Sequence, residues 1–177
     1  MQCTSDYRSP LGEILLASDE DGLTGLWFRG GKYCALGLDP EHEERETPVL
    51  TQTKRWLDIY FSGREPDFMP PLHMTGSPFR RSVWEILRQI PYGQTMTYGE
   101  IAKRLAESQG LSRMSAQAVG GAVGHNPISI LVPCHRVVGG NGSLTGYAGG
   151  LEKKVRLLTG EGVDLTRFFV PEKGSAL

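Results

Sequence analysis

Apolar residues fall in short clusters along this chain, and their period changes from one segment to the next. Ile14-Leu15-Leu16-Ala17 and Leu23-Thr24-Gly25-Leu26-Trp27-Phe28 flank a polar turn, Asp19-Glu20-Asp21-Gly22, and Gly30-Gly31 follows. Short apolar runs around a glycine-containing turn predict paired strands, within β-structure over 7–29. Residues 40–46 are acidic and read as exposed. Val49, Leu50, Trp56, Leu57, Ile59, Tyr60 and Phe61 then supply a helix that Thr47 or Thr53 caps and that ends before Gly63. Pro66, Pro70, Pro71, Gly76 and Pro78 break the pattern, because proline continues neither a helix nor a central strand.

Beyond that break the period is helical. Ser77 caps a helix opened by Pro78, apolar at Val83, Trp84, Ile86, Leu87 and Ile90, and stopped by Pro91. Thr97 and Glu100 form a capping box for a second helix reaching Ala106. After a polar connection, residues 115–124 make a helix of small residues. Its three glycines cost about 1 kcal/mol each against alanine, tolerable if something approaches the backbone closely. Helix, turn, small-residue helix fits both a helix-turn-helix whose second helix enters a groove and an ordinary helical hairpin. Residues 128–132 read as strand. In the glycine-rich stretch 139–150, Asn141-Gly142 marks a hairpin, the wing of a winged helix-turn-helix. A last helix spans 151–159, with Lys153, Lys154 and Arg156 exposed. The expected architecture is α+β: a small N-terminal α/β domain over 1–76, a winged helix-turn-helix domain over 77–165, and a C-terminal tail over 166–177.

Length agrees, since 177 residues allow one ordinary domain or two small ones. The longest apolar run is far short of a membrane span, and the N-terminus lacks the basic and apolar regions of a signal peptide. A cytoplasmic protein without membrane contact is expected. Its net charge of −1 conceals a division. Residues 1–76 carry seven Lys and Arg against thirteen Asp and Glu, a net of −6; residues 77–177 carry twelve against seven, a net of +5. A basic half suits a polyanionic partner, and equally a solvated surface. Cys3, Cys34 and Cys134 are odd in number and widely spaced, which fits neither a disulfide framework nor a paired metal knuckle. His42 and His73 have no second ligand nearby and read as surface residues.

The chemistry centres on Cys134-His135, at the end of the apolar run. A free cysteine there is either a small buried hydrophobe or a nucleophile. Nucleophilic use needs a base to release the thiolate and a carboxylate to orient the imidazole. Glu85, Glu100 and Glu107 have surface-like context, which leaves Glu161, between two glycines, as the best orienting candidate.

Pro133-Cys134-His135-Arg136-Val137 resembles the active-site motif of the 6-O-alkylguanine-DNA alkyltransferases, the methylated-DNA–protein-cysteine methyltransferases. Ala118-Val119-Gly120-Gly121-Ala122, Asn126-Pro127, Gly146-Tyr147, Gly149-Gly150, and Lys154 to Leu158 followed by Glu161-Gly162 also fall at the family's spacing, so the resemblance covers about 78–162. Ser9-Pro10-Leu11-Gly12 matches the start of the family's N-terminal, ribonuclease-H-like domain. The resemblance implies a single-use DNA repair enzyme, a methylated-DNA–[protein]-cysteine S-methyltransferase, that acts on 6-O-alkylguanine, with 4-O-methylthymine as a further candidate. It would act as a monomer on double-stranded DNA from the minor groove, flip the damaged base out, and keep its alkyl group on Cys134 without a cofactor. By the same resemblance His135 is a base acting through water, Glu161 holds His135, and Asn126 ties the recognition helix to the active-site turn. The carbonyls of Cys134 and Val137 would accept from the guanine amino group. Tyr98 and Tyr147 would contact the base, the Ala148 amide would sit near its O6, and Gln117, Ala118 and Ser143 would face DNA or substrate.

Gln117 departs from the family, which usually carries Arg there to fill the gap left by the flipped base; an amide lacks that charge and reach. The connection 106–115 is also longer than is common. Zinc occurs in some relatives, but Cys3 and Cys34 do not fall at comparable positions, so none is expected here. Two rivals stay open: a cysteine hydrolase, which would turn over, and a non-catalytic winged helix-turn-helix binder of alkylated DNA, which would need no thiol.

Overall fold

The computed structural model describes residues 1–171, so residues 172–177 of the expected tail lie outside the described residues. The chain forms two compact units, one of residues 1–75 with 127–131, the other of residues 76–126 with the chain from 132 onward.

The first unit is built on a four-stranded sheet. Strands β1 (Gln2–Ser9), β2 (Gly12–Ser18) and β3 (Leu23–Phe28) are antiparallel neighbours, and β4 (His42–Glu44) lies parallel on the far side of β1. The β2–β3 pair is the one the apolar pattern predicts. β1 and β4 are additions, because polar residues dominate both and no apolar alternation marks them. The exposed, charged side chains of β4 suit an edge, where charge discourages further strand pairing. Helix α1 (Pro48–Phe61) packs on the sheet; Thr47 caps it, its side chain accepting from Leu50 N, and Leu50, Trp56, Leu57 and Tyr60 are buried. Leu15, Ala17 and Trp27 form a second cluster with Cys34, Ala35 and Leu38.

Residues 128–132 are not a strand. Ile128 makes one bridge to Leu26, after which Ile130 adopts φ +71° and Leu131 N donates to Ser129 O at 2.8 Å, closing a three-residue γ-turn. An apolar run without alternation gives no warning of such a turn, and a β-branched residue rarely tolerates positive φ.

The second unit holds helices α2 (Pro78–Arg88), α3 (Tyr98–Ser108), α4 (Ala116–Gly124) and α5 (Leu151–Gly160). Ser77 caps α2, the Thr97–Glu100 capping box starts α3, and Ser115 caps α4. α2, α3 and α4 pack together, and the Trp84 indole donates to Ala122 O at 2.9 Å. β5 (Met96–Thr97) and β6 (Val137–Val138) form a short parallel pair. The wing is a tight reversal: Gly142 N donates to Gly139 O at 3.0 Å, with Gly142 at φ +89°, and Gly139 N to Ser143 O at 2.8 Å. Residues 165–169 dock on it through Leu144 N to Phe169 O at 2.8 Å and Phe169 N to Gly142 O at 3.0 Å. Among the described residues, no helix is long and apolar enough to cross a membrane.

Candidate active site

Two tight turns aim the thiol. Pro133 closes a γ-turn in which Cys134 N donates to Val132 O at 2.8 Å, and a single 3-10 turn, Cys134–Arg136, follows before β6 begins. All three side chains of that turn are buried. Asn126, just past the end of α4, donates from Nδ2 to Val132 O at 2.8 Å, and its side chain also hydrogen-bonds Cys134. Helix α4 and the cysteine turn are thereby tied through one amide.

His135 and Glu161 meet although 26 positions separate them: imidazole Nε2 lies 2.6 Å from carboxylate Oε2, and neither side chain exposes any surface. Glu161 is the C-cap of α5, so the helix end sets its position. Since the carboxylate only accepts, Nε2 carries the hydrogen and Nδ1 the lone pair, an assignment made from the hydrogen bond. Burial raises the Cys134 pKa; the hydrogen bond from Asn126, the charge of Lys154 and nearby backbone amides pull it down without prevailing. The resting sulfur is a thiol. Burial lowers the His135 pKa and, with the charges of Arg136 and Lys154, outweighs the upward pull of Glu161. The resting imidazole is a neutral base. Burial works against the Glu161 carboxylate, but hydrogen bonds and charge from His135 and Arg136 hold its pKa well below the usual range.

The other expected residues are distributed around this centre. Tyr98 opens α3 and donates to Thr145 O at 3.3 Å; burial and the neighbouring Cys134 raise its pKa, so it remains a phenol. The Tyr147 ring meets His135 edge-on, with centroids 6.4 Å apart. Ser143 is buried in the wing, where its N–H is held by Asn141 Oδ1 at 3.1 Å, and Ala148 is half-buried beyond Tyr147. Gln117 and Ala118 are exposed in the first turn of α4, where the Ala118 amide donates to the Ser115 cap at 3.2 Å. The Val137 carbonyl already accepts from Lys154 Nζ at 2.6 Å.

Both halves of the chain match models of one family: residues 78–163 the 6-O-methylguanine DNA methyltransferase DNA binding domain, and residues 4–74 its ribonuclease-like domain. A methylated-DNA–protein-cysteine methyltransferase of Methanosarcina acetivorans is 46% identical over 156 residues, 88% of this chain and 96% of the relative. The chain belongs to the 6-O-methylguanine DNA methyltransferase family. The Haemophilus influenzae methylated-DNA–protein-cysteine methyltransferase is 40% identical over 86% of this chain and 82% of its own length. Among solved structures, a point variant of Mycobacterium tuberculosis OGT superposes with a TM-score of 0.76 at 36% identity, covering 98% of this chain and 97% of that one. The M. tuberculosis OGT in complex with DNA gives 0.75 at 37% identity, covering 94% of each.

Several groups around this methyltransferase-family site escape the sequence reading. Lys154 is fully buried rather than exposed, and its Nζ donates to the carbonyls of Val137 and Thr145 at 2.6 Å each and Gly146 at 3.4 Å. Burial lowers its pKa to about 8. A lysine is seldom fully buried unless paired, which favours the exposed reading; its spacing from Leu157, Leu158 and Glu161 on α5 was the available signal. Arg136 grips Glu161 through Nε and Nη2 at 2.8 and 3.1 Å. Gly93, at φ +79° in the turn after α2, donates its amide to Glu161 Oε1 at 3.0 Å. In the N-terminal unit, His73 is not without ligand-type neighbours. Its Nδ1 lies 2.6 Å from an Asp19 carboxylate oxygen and 3.9 Å from one of Asp21, because 71–73 runs beside Leu23. Among the described residues these three could hold a metal ion by geometry, and all of them belong to the sheet unit.

Proposed function

We propose that this chain repairs DNA by direct reversal, taking the alkyl group of a flipped 6-O-alkylguanine onto Cys134 in one irreversible event. The observation that carries the reading is the buried Cys134 turn backed by the His135–Glu161 pair at 2.6 Å. His135 takes the thiol proton, through a water, as the base approaches. The thiolate displaces guanine O6 at the alkyl carbon: the S–C bond forms, the C–O bond breaks, and guanine leaves as its anion and regains a proton. The charge of Lys154 bears on the Cys134 sulfur, which favours the thiolate and the departing guanine anion. Tyr98 and Tyr147 border the base, with the Ala148 amide near its O6, and the Val137 carbonyl, which has a second lone pair, accepts from the guanine amino group.

Double-stranded DNA is the proposed partner and α4 the element that enters its minor groove. A Cβ at Gly121 would have no atom within 4 Å beyond the local backbone of its own helix, so internal packing does not require that glycine. Together with exposed Gln117 and Ala118 it leaves a smooth face on which a backbone can lie. The test is intact mass after incubation with a duplex carrying 6-O-methylguanine. A gain of one methylene, mapped to the Cys134 peptide and absent from Cys134→Ala, is expected. Substrate consumed beyond one equivalent per chain would favour a hydrolase, and unmodified protein that binds the duplex would favour a non-catalytic binder.

A further inference from the structure

We infer that Arg136 is a positioning residue that keeps His135 a neutral base, by matching the charge of Glu161 through a two-point guanidinium–carboxylate contact. The inference rests on the alkyl-transfer reading above and names how the base is kept ready.

A buried carboxylate beside an imidazole draws a proton onto it unless another cation answers its charge. Here another does. Glu161 Oε1 accepts from Arg136 Nε at 2.8 Å and from Gly93 N at 3.0 Å; Oε2 accepts from Arg136 Nη2 at 3.1 Å and from His135 Nε2 at 2.6 Å. A guanidinium stays charged at any working pH, so the pair is neutral before the imidazole is considered. Arg136 is itself fixed: Nη1 donates to Ile90 O at 2.7 Å, and its guanidinium carbon lies 5.7 Å from the Tyr92 ring centre. The turn after α2 therefore holds the arginine by a carbonyl and a ring, and the carboxylate by the Gly93 amide.

The groups facing His135 make the consequence clear. Glu161 comes from the end of α5, Lys154 from its body, Cys134 and Arg136 from the histidine's own turn, and Tyr147 from the loop before α5. Only Glu161 is negative while the thiol is protonated. Were His135 protonated too, it would add a third cation around one carboxylate, inside the protein. Without Arg136, the carboxylate would turn to the imidazole and hold it as imidazolium, which cannot accept the thiol proton. A lysine supplies the charge as a single point and loses the fork that engages both oxygens.

Imidazole nitrogen shifts of the full-length wild type decide the resting state: neutral His135 from about pH 6 to 8 is expected, and imidazolium at neutral pH would overturn the inference. Arg136→Met and Arg136→Lys then test the cause, with transfer from a 6-O-methylguanine duplex timed across pH and folding checked by circular dichroism. In Arg136→Met the acid limb should move up by about one pH unit, lowering the rate at acid pH about tenfold while the rates converge in alkali. Arg136→Lys should fall between. An equal loss at every pH marks a merely structural role and sinks the idea. If Arg136→Met does not fold, the imidazole shifts and the pH–rate profile of the milder Arg136→Lys decide the cause, an acid limb unmoved from the wild type overturning it. If the wild type transfers no alkyl group, the function reading fails, and the His135 protonation state remains a separate result.

Discussion

Glu161 sits between two glycines in sequence and at the centre of four hydrogen bonds in space. Its candidacy was legible as a carboxylate by elimination; Arg136 and Gly93 were not, because nothing local links positions 93, 136 and 161. His73 escaped for the same reason: Asp19 lies 54 positions away and is brought up only by the chain beside β3. The energetic consequence is testable. Replacing Glu161 with Gln leaves Arg136 buried without its counter-charge, which costs about 3–5 kcal/mol at neutral pH. Because the folded-state pKa is depressed, the carboxylate's stabilisation is complete above its unfolded value of about 4.5 and is lost as pH falls towards the folded value. Urea unfolding of the wild type and Glu161→Gln should therefore show a wide stability gap at pH 7 that narrows below about pH 4.5. A gap that is constant with pH would disprove the linkage.

At the scale of elements, the helices were readable because capping is local: Thr47, Ser77, Thr97 and Ser115 each bond an amide three residues on. β1, β4 and the turn at Ile130 were not, since polar strands and aperiodic apolar runs leave no period to read. The small-residue helix was legible as an anomaly, and α4 yields two predictions. Gly121→Ala should stabilise the free protein, by up to about 1 kcal/mol on the helix scale, since its Cβ meets open space. It should weaken duplex binding, because the methyl group stands on the face assigned to the groove; thermal melting and a DNA titration measure the two effects. Unchanged affinity would remove α4 from the interface. Gln117→Arg, on the same exposed turn, should speed repair by adding charge and reach where the flipped base leaves its partner. Rates under single-turnover conditions read this directly, and no gain would show that glutamine suffices.

Over the whole molecule the charge division follows the two units, with the acidic residues gathered in the sheet unit and the basic ones in the helical unit. Duplex affinity should fall linearly with salt on logarithmic axes, by about 0.9 in slope for each phosphate contacted. A binding constant indifferent to salt would contradict phosphate contacts altogether. The resting thiol carries one more consequence. Cys134 is 5% exposed, and burial keeps its proton in place. Oxidants and stray electrophiles react with thiolates that they can reach, so the sulfur is poorly reactive until a bound base changes its surroundings. For an ordinary enzyme such inertness would only slow each cycle. A molecule holding a single equivalent of reagent gains shelf life from it: the thiol is preserved between lesions, however rarely they come.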